Sequence, residues 1–247
     1  MRADLIAKSL EIAAERAGDL TPHVYARLFA ERPELADMFG HNAKSVQAWA
    51  DNAALAFGQS KQQALDAAAT FATFGKAAGL TGQDLESFAT DFVGLSSDLA
   101  SFNNTTPEQA IQAIGAALRG ESEPLRAYGV LLDDASMRQK ALELGIIDNI
   151  KNALTPQQKV LAAQALIYEQ TSAAQGDFAR TSDGLANQQR ILDAQMENLK
   201  ATIGQALLPV VLALVSTFNQ LVQAVLPPLT AFITDEVVPA MDAVGAV

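Results

Sequence analysis

Apolar residues recur at three- and four-residue intervals along most of this chain, and that spacing places them on one face of an α-helix. Most of the apolar runs are preceded by Ser, Thr or Asp, in three cases by a Thr-Pro pair, and most are followed by glycine. These are the residues that begin and end helices. Only residues 130–132 form a β-favouring run, which suffices for a single bridge or an extended linker. The pattern therefore predicts an all-α fold.

The pattern divides the chain into three regions. Residues 1–45 are predicted to form a helical N-terminal segment, with helices over residues 3–16 and 21–31. Residues 46–180 are predicted to form an alanine-rich helical bundle, and residues 181–247 a long apolar helical seam. The predicted architecture is a set of helical hairpins followed by a long C-terminal helix, elongated and coiled-coil-like.

Within the bundle, the helix over residues 60–78 and the next one, capped by Thr81, are predicted to pack as a hairpin. Further helices are predicted to begin at Thr106, at Asp133 or Asp134, and at Thr155, the last of about 20 residues. A weaker helix between Gly40 and Gly58 is predicted from Val46, Trp49, Ala53 and Leu55.

The C-terminal seam contains apolar residues at three- and four-residue spacing without shielding charges beyond Lys200. It begins with Ile191, Leu192, Ala194 and Leu199. Its predicted self-association residues are Ile203, Leu207, Val210, Leu214, Phe218, Leu221 and Val225. Pro209 is expected to kink this helix rather than end it, because the spacing continues from Val210. Such a surface requires a partner helix or a lipid surface to cover it.

Composition narrows the range of functions. A chain with a net charge of −11 lacks the cationic surface that phosphate binding requires, so sequence-specific nucleic acid is not an expected partner. The absence of cysteine excludes disulfides and thiolate metal sites, and two histidines leave little acid–base chemistry. We therefore expect no enzyme activity and no catalytic, cofactor or metal site.

Two groups of charged residues have ordinary structural interpretations. Adjacent carboxylates at Asp133 and Asp134 point about 100° apart on a helix, so they are interpreted as a helix cap. Around Gly120, where a helix is expected to break, the charged residues can form exposed ion pairs. They are Arg119, Glu121, Glu123 and Arg126.

Both ends of the chain bear on membrane contact. Residues 1–12 contain four charged side chains, so no signal peptide is predicted and synthesis in the cytoplasm is expected. Residues 201–234 contain no charge, but polar residues and three prolines interrupt them. Insertion of this segment into a membrane is the alternative to self-association.

The sequence Thr-Pro-His-Val-Tyr-Ala-Arg-Leu-Phe-Ala-Glu-Arg-Pro-Glu-Leu-Ala-Asp-Met-Phe-Gly at residues 21–40 resembles the second and third helices of a bacterial globin. In that family Phe39 would match the phenylalanine that stacks on haem. The iron ligand comes from a later helix, and no histidine follows His41. We therefore expect no haem cofactor, and interpret Phe29 and Phe39 as helix-packing aromatics.

Four ordered motifs resemble the tail tape measure proteins of long-tailed bacteriophages, over about residues 46–228. They are Asp-Leu-Ala-Ser-Phe at 98–102, Leu-Arg-Gly-Glu-Ser-Glu-Pro-Leu-Arg-Ala-Tyr-Gly-Val at 118–130, Gly-Asp-Phe-Ala-Arg-Thr at 176–181 and Ile-Gly-Gln-Ala-Leu-Leu-Pro at 203–209.

The resemblance implies a virion component of phage or prophage origin, without catalysis, that acts in tail assembly, tail length determination and DNA ejection. It implies a homo-oligomer in the virion tail. It also implies tail tube, tail-tip and tail-assembly chaperone proteins as partners, with the host membrane as a further one.

Two features depart from that family. Tape measure proteins are usually far longer. At about 1.5 Å per residue, even a wholly helical chain of 247 residues spans only roughly 370 Å. The globin-like first 40 residues are also foreign to it. We therefore expect a fragment, a truncated gene product or a fusion. Two classes of function stay open, a structural assembly protein and a membrane-active helical module that inserts through residues 201–234.

Overall fold

A computed structural model of the chain describes residues 39–232. The predicted helices over residues 3–16 and 21–31, and with them Phe29 and most of the globin-like sequence, lie outside the described residues. Across residues 39–232 the secondary structure is helical and no strand occurs, which confirms the all-α prediction.

The helices, in chain order, are α1 (Ala43–Asp51), α2 (Ala53–Phe57), α3 (Lys61–Ala77), α4 (Gly82–Phe102), α5 (Pro107–Arg119), α6 (Asp134–Glu143), α7 (Pro156–Gln170), α8 (Asp177–Arg180) and α9 (Leu185–Phe232). There are also two 3₁₀ helices. Gly40–Asn42 precedes α1, and Glu123–Tyr128 lies between α5 and α6. The last helix is 48 residues long, as the long C-terminal helix of the prediction requires.

Four of these helices begin at a reciprocal capping box. The N-cap side chain accepts a hydrogen bond from the backbone N–H three residues later, and the side chain there accepts one from the N-cap backbone. The pairs are Ser60 with Gln63, Thr106 with Gln109, Asp133 with Ser136, and Thr155 with Gln158. Asp133, not Asp134, is thus the cap of α6. Each of these caps bonds to a residue only three positions away, so the sequence alone predicts where the helix begins.

The core is centred on the predicted hairpin of α3 and α4. Phe92 lies at its middle, with ring centroids 5.2 Å from Phe71, 5.0 Å from Phe88 and 5.4 Å from Tyr168 of α7. The helices approach closely at Gly75, where an added Cβ would lie 2.7 Å from the side chain of Leu85. Phe39 is buried in the same cluster, which confirms its packing role.

A smaller apolar cluster closes the turn between α6 and α7. Ala141 and Ala162 face each other across the two helices, and Ile147 and Leu154 from the connecting loop complete the cluster. The loop itself has no regular structure between Gly145 and Thr155.

Two helix predictions need correction. The weak helix before Gly58 is two short helices, α1 and α2, and its apolar residue Leu55 is 62% exposed. Helix α7 has 15 residues instead of about 20 and ends at Gln170, and the hydroxyl of its C-cap Thr171 donates to the carbonyl of Ile167. The capping signal at Thr155 predicted the start of α7, but no glycine marks its end.

The β-favouring residues 130–132 form no strand and lie in a segment without regular secondary structure. The side-chain amide of Gln170 takes the place of a neighbouring strand here. It accepts from the backbone N–H of Leu131 at 2.8 Å and donates to the carbonyl of Leu131 at 3.0 Å.

The chain separates into two compact units. The first is Pro22–Leu199, of which residues 39–199 are described; it contains α1 to α8 and the first part of α9. The described part of the second is residues 200–232 of α9.

Candidate functional site

Two of the motifs quoted above meet at the end of α4. Asp98 lies in the last turns of this helix, and its carboxylate accepts hydrogen bonds from the backbone N–H of Gly176 at 2.7 Å and of Phe178 at 3.1 Å. These two groups are orphan donors at the start of α8, so Asp98 caps that helix from a distance of 78 residues in sequence. We call this cluster the polar junction; it also includes Ser101, Asp177, Thr181, Asn187 and Arg190.

Asn187, on the first turn of α9, continues the network. The hydroxyl of Ser101 donates to the Asp177 carboxylate at 2.7 Å, and the Asn187 amide donates to the Ser101 hydroxyl at 2.9 Å. The same amide donates to the Thr181 hydroxyl at 2.8 Å. Asn187 is 3% exposed, so its hydrogen bonds fix the start of α9 against α4 in a place where water does not compete.

Arg190 ties α9 to the C-terminus of α4. Its guanidinium donates to the carbonyl of Thr105 at 2.9 Å, to the carbonyl of Ala100 at 3.5 Å and to the side-chain oxygen of Asn187. The carbonyls near a helix C-terminus lack helical partners and carry partial negative charge, so a cation is favoured there. Two turns later, Asn198 accepts from the backbone N–H of Lys61 at 2.8 Å.

Phe178 gives the polar junction an apolar floor. It is 2% exposed and packs against Gly58, where an added Cβ would lie 2.9 Å from the Phe178 ring. Gly58 also has φ +62°, so both the backbone conformation and the close approach require glycine.

Burial governs the electrostatics of the polar junction. It raises the pKa of Asp98, and the backbone N–H groups of Gly176 and Phe178 offset only part of that rise. Burial also raises the pKa of Tyr168, and the carboxylates of Asp91 and Asp98 raise it further, so this phenol stays neutral. Of the residues that the structure describes, no three His, Asp or Glu side chains are grouped to hold a metal ion. The hydrogen bonds of the polar junction hold α4, α8 and the start of α9 together.

The motif at 118–130 lies beside the polar junction. Tyr128 makes a 3.1 Å hydrogen bond with Thr105, and Leu125 and Val130 are fully buried. Helix α5 ends at Gly120 with φ +101°, as predicted. Arg119 pairs with Glu121 at 3.7 Å, and Arg126 with Glu123 at 2.9 Å. Both ion pairs are exposed, as expected of surface charge.

The second feature is a line of large apolar side chains along α9, here called the apolar stripe. Each member is between 45% and 66% exposed. The members are Leu192, Met196, Leu199, Ile203, Leu207, Val210, Leu214, Phe218, Leu221 and Val225. Covering the exposed half of each would contribute about 1 kcal/mol. The seven predicted self-association residues all belong to this stripe.

Two residues that the sequence assigned to the seam lie elsewhere. Ala194 is 3% exposed and Ile191 is partly buried, because the side of α9 that carries Asn187 and Asn198 packs on the bundle. Met196 belongs to the stripe instead. A step of 3.6 residues per turn places Leu192 and Met196 roughly opposite Ala194 and Asn198.

The stripe can be counted as an 11-residue repeat, although from Leu207 onward exposed Val211 in place of Val210 gives an equally apolar heptad series. Its steps are four, three and four residues, repeated from Leu192 to Val225, so Leu192, Ile203, Leu214 and Val225 are equivalent positions. This spacing is visible in the sequence alone. The spacing is harder to recognise in the first part of α9, because Ile191 and Ala194 are further apolar positions there and pack on the bundle.

The side of α9 opposite the stripe is uncharged beyond Lys200 and mixes polar residues with Leu208 and Leu212. Gln205, Ser216 and Gln223 lie on it, and Asn219 and Gln220 lie at its edges. Pro209 lies inside the helix, and α9 continues through it as predicted. Among the described helices, α9 alone is long and apolar enough to cross a membrane, judged by length and composition, over residues 185–225.

Comparison of this chain with protein-family models, with curated proteins and with solved structures finds no match. Its function is therefore inferred from its own residues and geometry.

Proposed function

We propose that this chain is a tail tape measure protein of a long-tailed bacteriophage or prophage, or a fragment or fusion of one. In this role it is a non-enzymatic structural protein of the virion tail, made in the host cytoplasm, that acts in tail length determination, tail assembly and DNA delivery. Its proposed partners are copies of itself and the tail tube, tail-tip and tail-assembly chaperone proteins.

The observation that carries the proposal is the polar junction. The motifs at 98–102 and 176–181, quoted for their resemblance to tape measure proteins, form one hydrogen-bonded cluster that fixes the start of α9. Chance motifs on an unrelated alanine-rich bundle have no reason to bond to each other across 78 residues. A long helix with an exposed apolar stripe suits a protein whose output is its length.

A membrane-active helical module is the second candidate, since residues 185–225 have the length and hydropathy of a membrane span. The glutamine side chains of α9 argue against it. Gln205, Gln220 and Gln223 would carry their amides into hydrocarbon without partners, which is costly. The host membrane thus ranks below a second protein surface as the cover for this helix.

Tail length tests the proposed function. Four further 11-residue units inserted at Val225 add 44 residues, and about 66 Å if they are helical and extended. We expect electron microscopy to show longer tails from the phage or prophage that encodes the chain. The control inserts 44 residues between Gly145 and Thr155, where the chain has no regular structure, and should leave the length unchanged. Equal tail lengths in both variants, or tails that lack the chain in mass spectra, contradict the proposal.

A further inference from the structure

A second line of apolar positions runs along α9, about 120° around the helix from the apolar stripe. Its members follow steps of four, three, four and three residues, which is a heptad spacing. They are Leu208, Leu212, Val215, Asn219 and Val222, here called the second seam. Asn219 is its polar member, and the second seam carries no charge. It is therefore a surface of α9 separate from the stripe.

The second seam is partly covered, unlike the apolar stripe. Leu212 and Val222 are partly buried, whereas Leu214 and Val225, residues of the same types on the stripe, are 66% and 49% exposed. The hydrogen bonds between described residues that join α9 to the bundle reach as far as Asn198, about 21 Å before Leu212. These are the exposures of a single chain, so the residues that cover Leu212 and Val222 belong to that chain.

Two stretches of the chain lie outside the described residues, 1–38 and 233–247. The second stretch follows α9 directly and would have to fold back on it. Its 15 residues span about 22 Å as a helix, which is less than the roughly 30 Å from Phe232 back to Leu212. Pro239 also interrupts it. The first stretch is therefore the better source of a cover for the whole seam.

The predicted helix over residues 3–16 has the length and the period that the second seam requires. Its apolar line, at steps of three and four residues, is Ala3, Ile6, Leu10 and Ala13. Its charged line, on the opposite face, is Asp4, Lys8, Glu11 and Glu15. The helix is about 21 Å long, which matches the distance from Leu208 to Val222 along α9. A helix with these two faces needs an apolar partner on one side and water on the other.

Size, charge and connection also suit this pair of surfaces. The alanines of residues 3–16 allow a close approach to the larger side chains of the second seam. The charged line points away from α9, so no charge is buried by the contact. Residues 17–38 reach up to about 70 Å when extended, well beyond the roughly 36 Å from Asn198, which is bound to the bundle, to Val222.

We infer that residues 3–16 form a helix that docks on the second seam of α9 in the same chain, with Ile6 and Leu10 facing the seam. This contact goes beyond the proposed function. It pairs the two ends of one chain and leaves the apolar stripe, on another side of α9, for a second copy.

Single cysteines test the inference, because the chain has none of its own. Val222→Cys reports on the second seam and Val225→Cys on the stripe, through the rate of thiol alkylation in the full chain. Each is combined with Ile6→Glu and Leu10→Glu, which place charge on the apolar line. We expect this pair to speed alkylation at 222 about tenfold and at 225 by less than about twofold, because only the second seam loses its cover.

Lys8→Glu is the matched control, since it changes the net charge as much as the double variant but on the charged line. It should alter alkylation at 222 by less than about twofold. The rates at 222 should also be the same at low and at high protein concentration, because the helix and the seam are linked in one chain.

The reciprocal experiment places the reporter in the N-terminal helix as Ala13→Cys. Leu212→Glu with Val215→Glu should then speed its alkylation about tenfold. Ala206→Glu with Ala213→Glu adds the same charge to the other side of α9 and should change the rate by less than about twofold. Circular dichroism checks that each variant keeps its helical content.

Alkylation at 222 that Ile6→Glu with Leu10→Glu leaves unchanged, or that Lys8→Glu speeds equally, would overturn the docking. Protection at 222 that grows with protein concentration would assign the second seam to a second copy and overturn docking within one chain.

Discussion

At the scale of single residues, the polar junction depends on the half-buried carboxylate of Asp98. Asp98 accepts hydrogen bonds from two backbone N–H groups at the start of α8, and these partly compensate for the burial of its charge. An unpaired charge at this position would be costly. The pairing explains how a motif on α4 and a motif 78 residues later share one structure.

The first prediction concerns the pH dependence that Asp98 gives to stability. Its pKa is raised in the folded chain, so its contribution to the free energy of unfolding is largest below the ordinary aspartate pKa of about 3.9 and falls as pH rises through the folded-state value. Relative to Asp98→Asn, the wild type should therefore gain stability between neutral pH and about pH 4. Urea denaturation of both proteins at the two pH values measures this difference. A gap that is constant with pH, or that moves in the opposite direction, contradicts the burial of this carboxylate.

The second prediction concerns Gly120, the C-cap of α5. Its φ of +101° is one that residues with a Cβ rarely adopt, although an added Cβ would meet no atom within 4 Å. Gly120→Val should thus lower the free energy of unfolding by about 1 kcal/mol or more through backbone strain alone. Gly115→Ala, within the same helix and with ordinary contacts to an added Cβ, is the matched control and should stabilise by up to about 1 kcal/mol. An unchanged melting curve for Gly120→Val would mean that α5 does not end as described.

At the scale of elements, α9 has two sides with different roles. One side is bound to the bundle through Asn187, Arg190, Ala194 and Asn198, and the other carries the apolar stripe. Within residues 185–199 of α9, Asn187 and Ala194 thus lie on the bundle side, and Leu192 and Met196 on the other.

The third prediction tests the contact of α9 with the end of α4. Arg190→Leu removes the guanidinium donor from the carbonyl of Thr105, whereas the carbonyl of Ala100 keeps the backbone N–H of Thr105, so we expect a loss of about 1–2 kcal/mol in the free energy of unfolding. Arg126→Leu removes an exposed ion pair with Glu123 and should cost less than about 1 kcal/mol. Urea denaturation followed by circular dichroism compares the two. Equal losses would show that Arg190 contributes no more than a surface charge.

The sequence predicts the elements whose signals are local. Thr106, Asp133 and Thr155 mark helix starts because a cap bonds to residues three positions away. It does not predict the polar junction, since Asp98 and Gly176 are 78 residues apart and become neighbours only when α4 and α8 pack. The apolar stripe falls between these cases. Its residues follow a regular spacing that the sequence shows, but only the structure reveals that the bundle covers Ala194.

At the scale of the whole molecule, the described residues combine a conventional aromatic core in the first unit with a stripe of ten large apolar side chains that no described helix covers. Taken together, these side chains would gain about 10 kcal/mol from being covered, before the entropic cost of association. A surface of that size on one helix, with no charge between Ala201 and Thr234, is expected to associate.

The fourth prediction follows from that surface and tests the central claim, that the stripe is where copies of this chain meet. Sedimentation velocity of the wild type at micromolar concentration in plain buffer should show an oligomer. Leu207→Glu with Leu214→Glu should shift it to monomer, because two carboxylates enter the interface of each copy. Gln205→Glu with Ser216→Glu places the same charge on the opposite side of α9 and should leave the oligomer intact. A monodisperse monomer for the wild type, or equal dissociation of the two double variants, would contradict the claim.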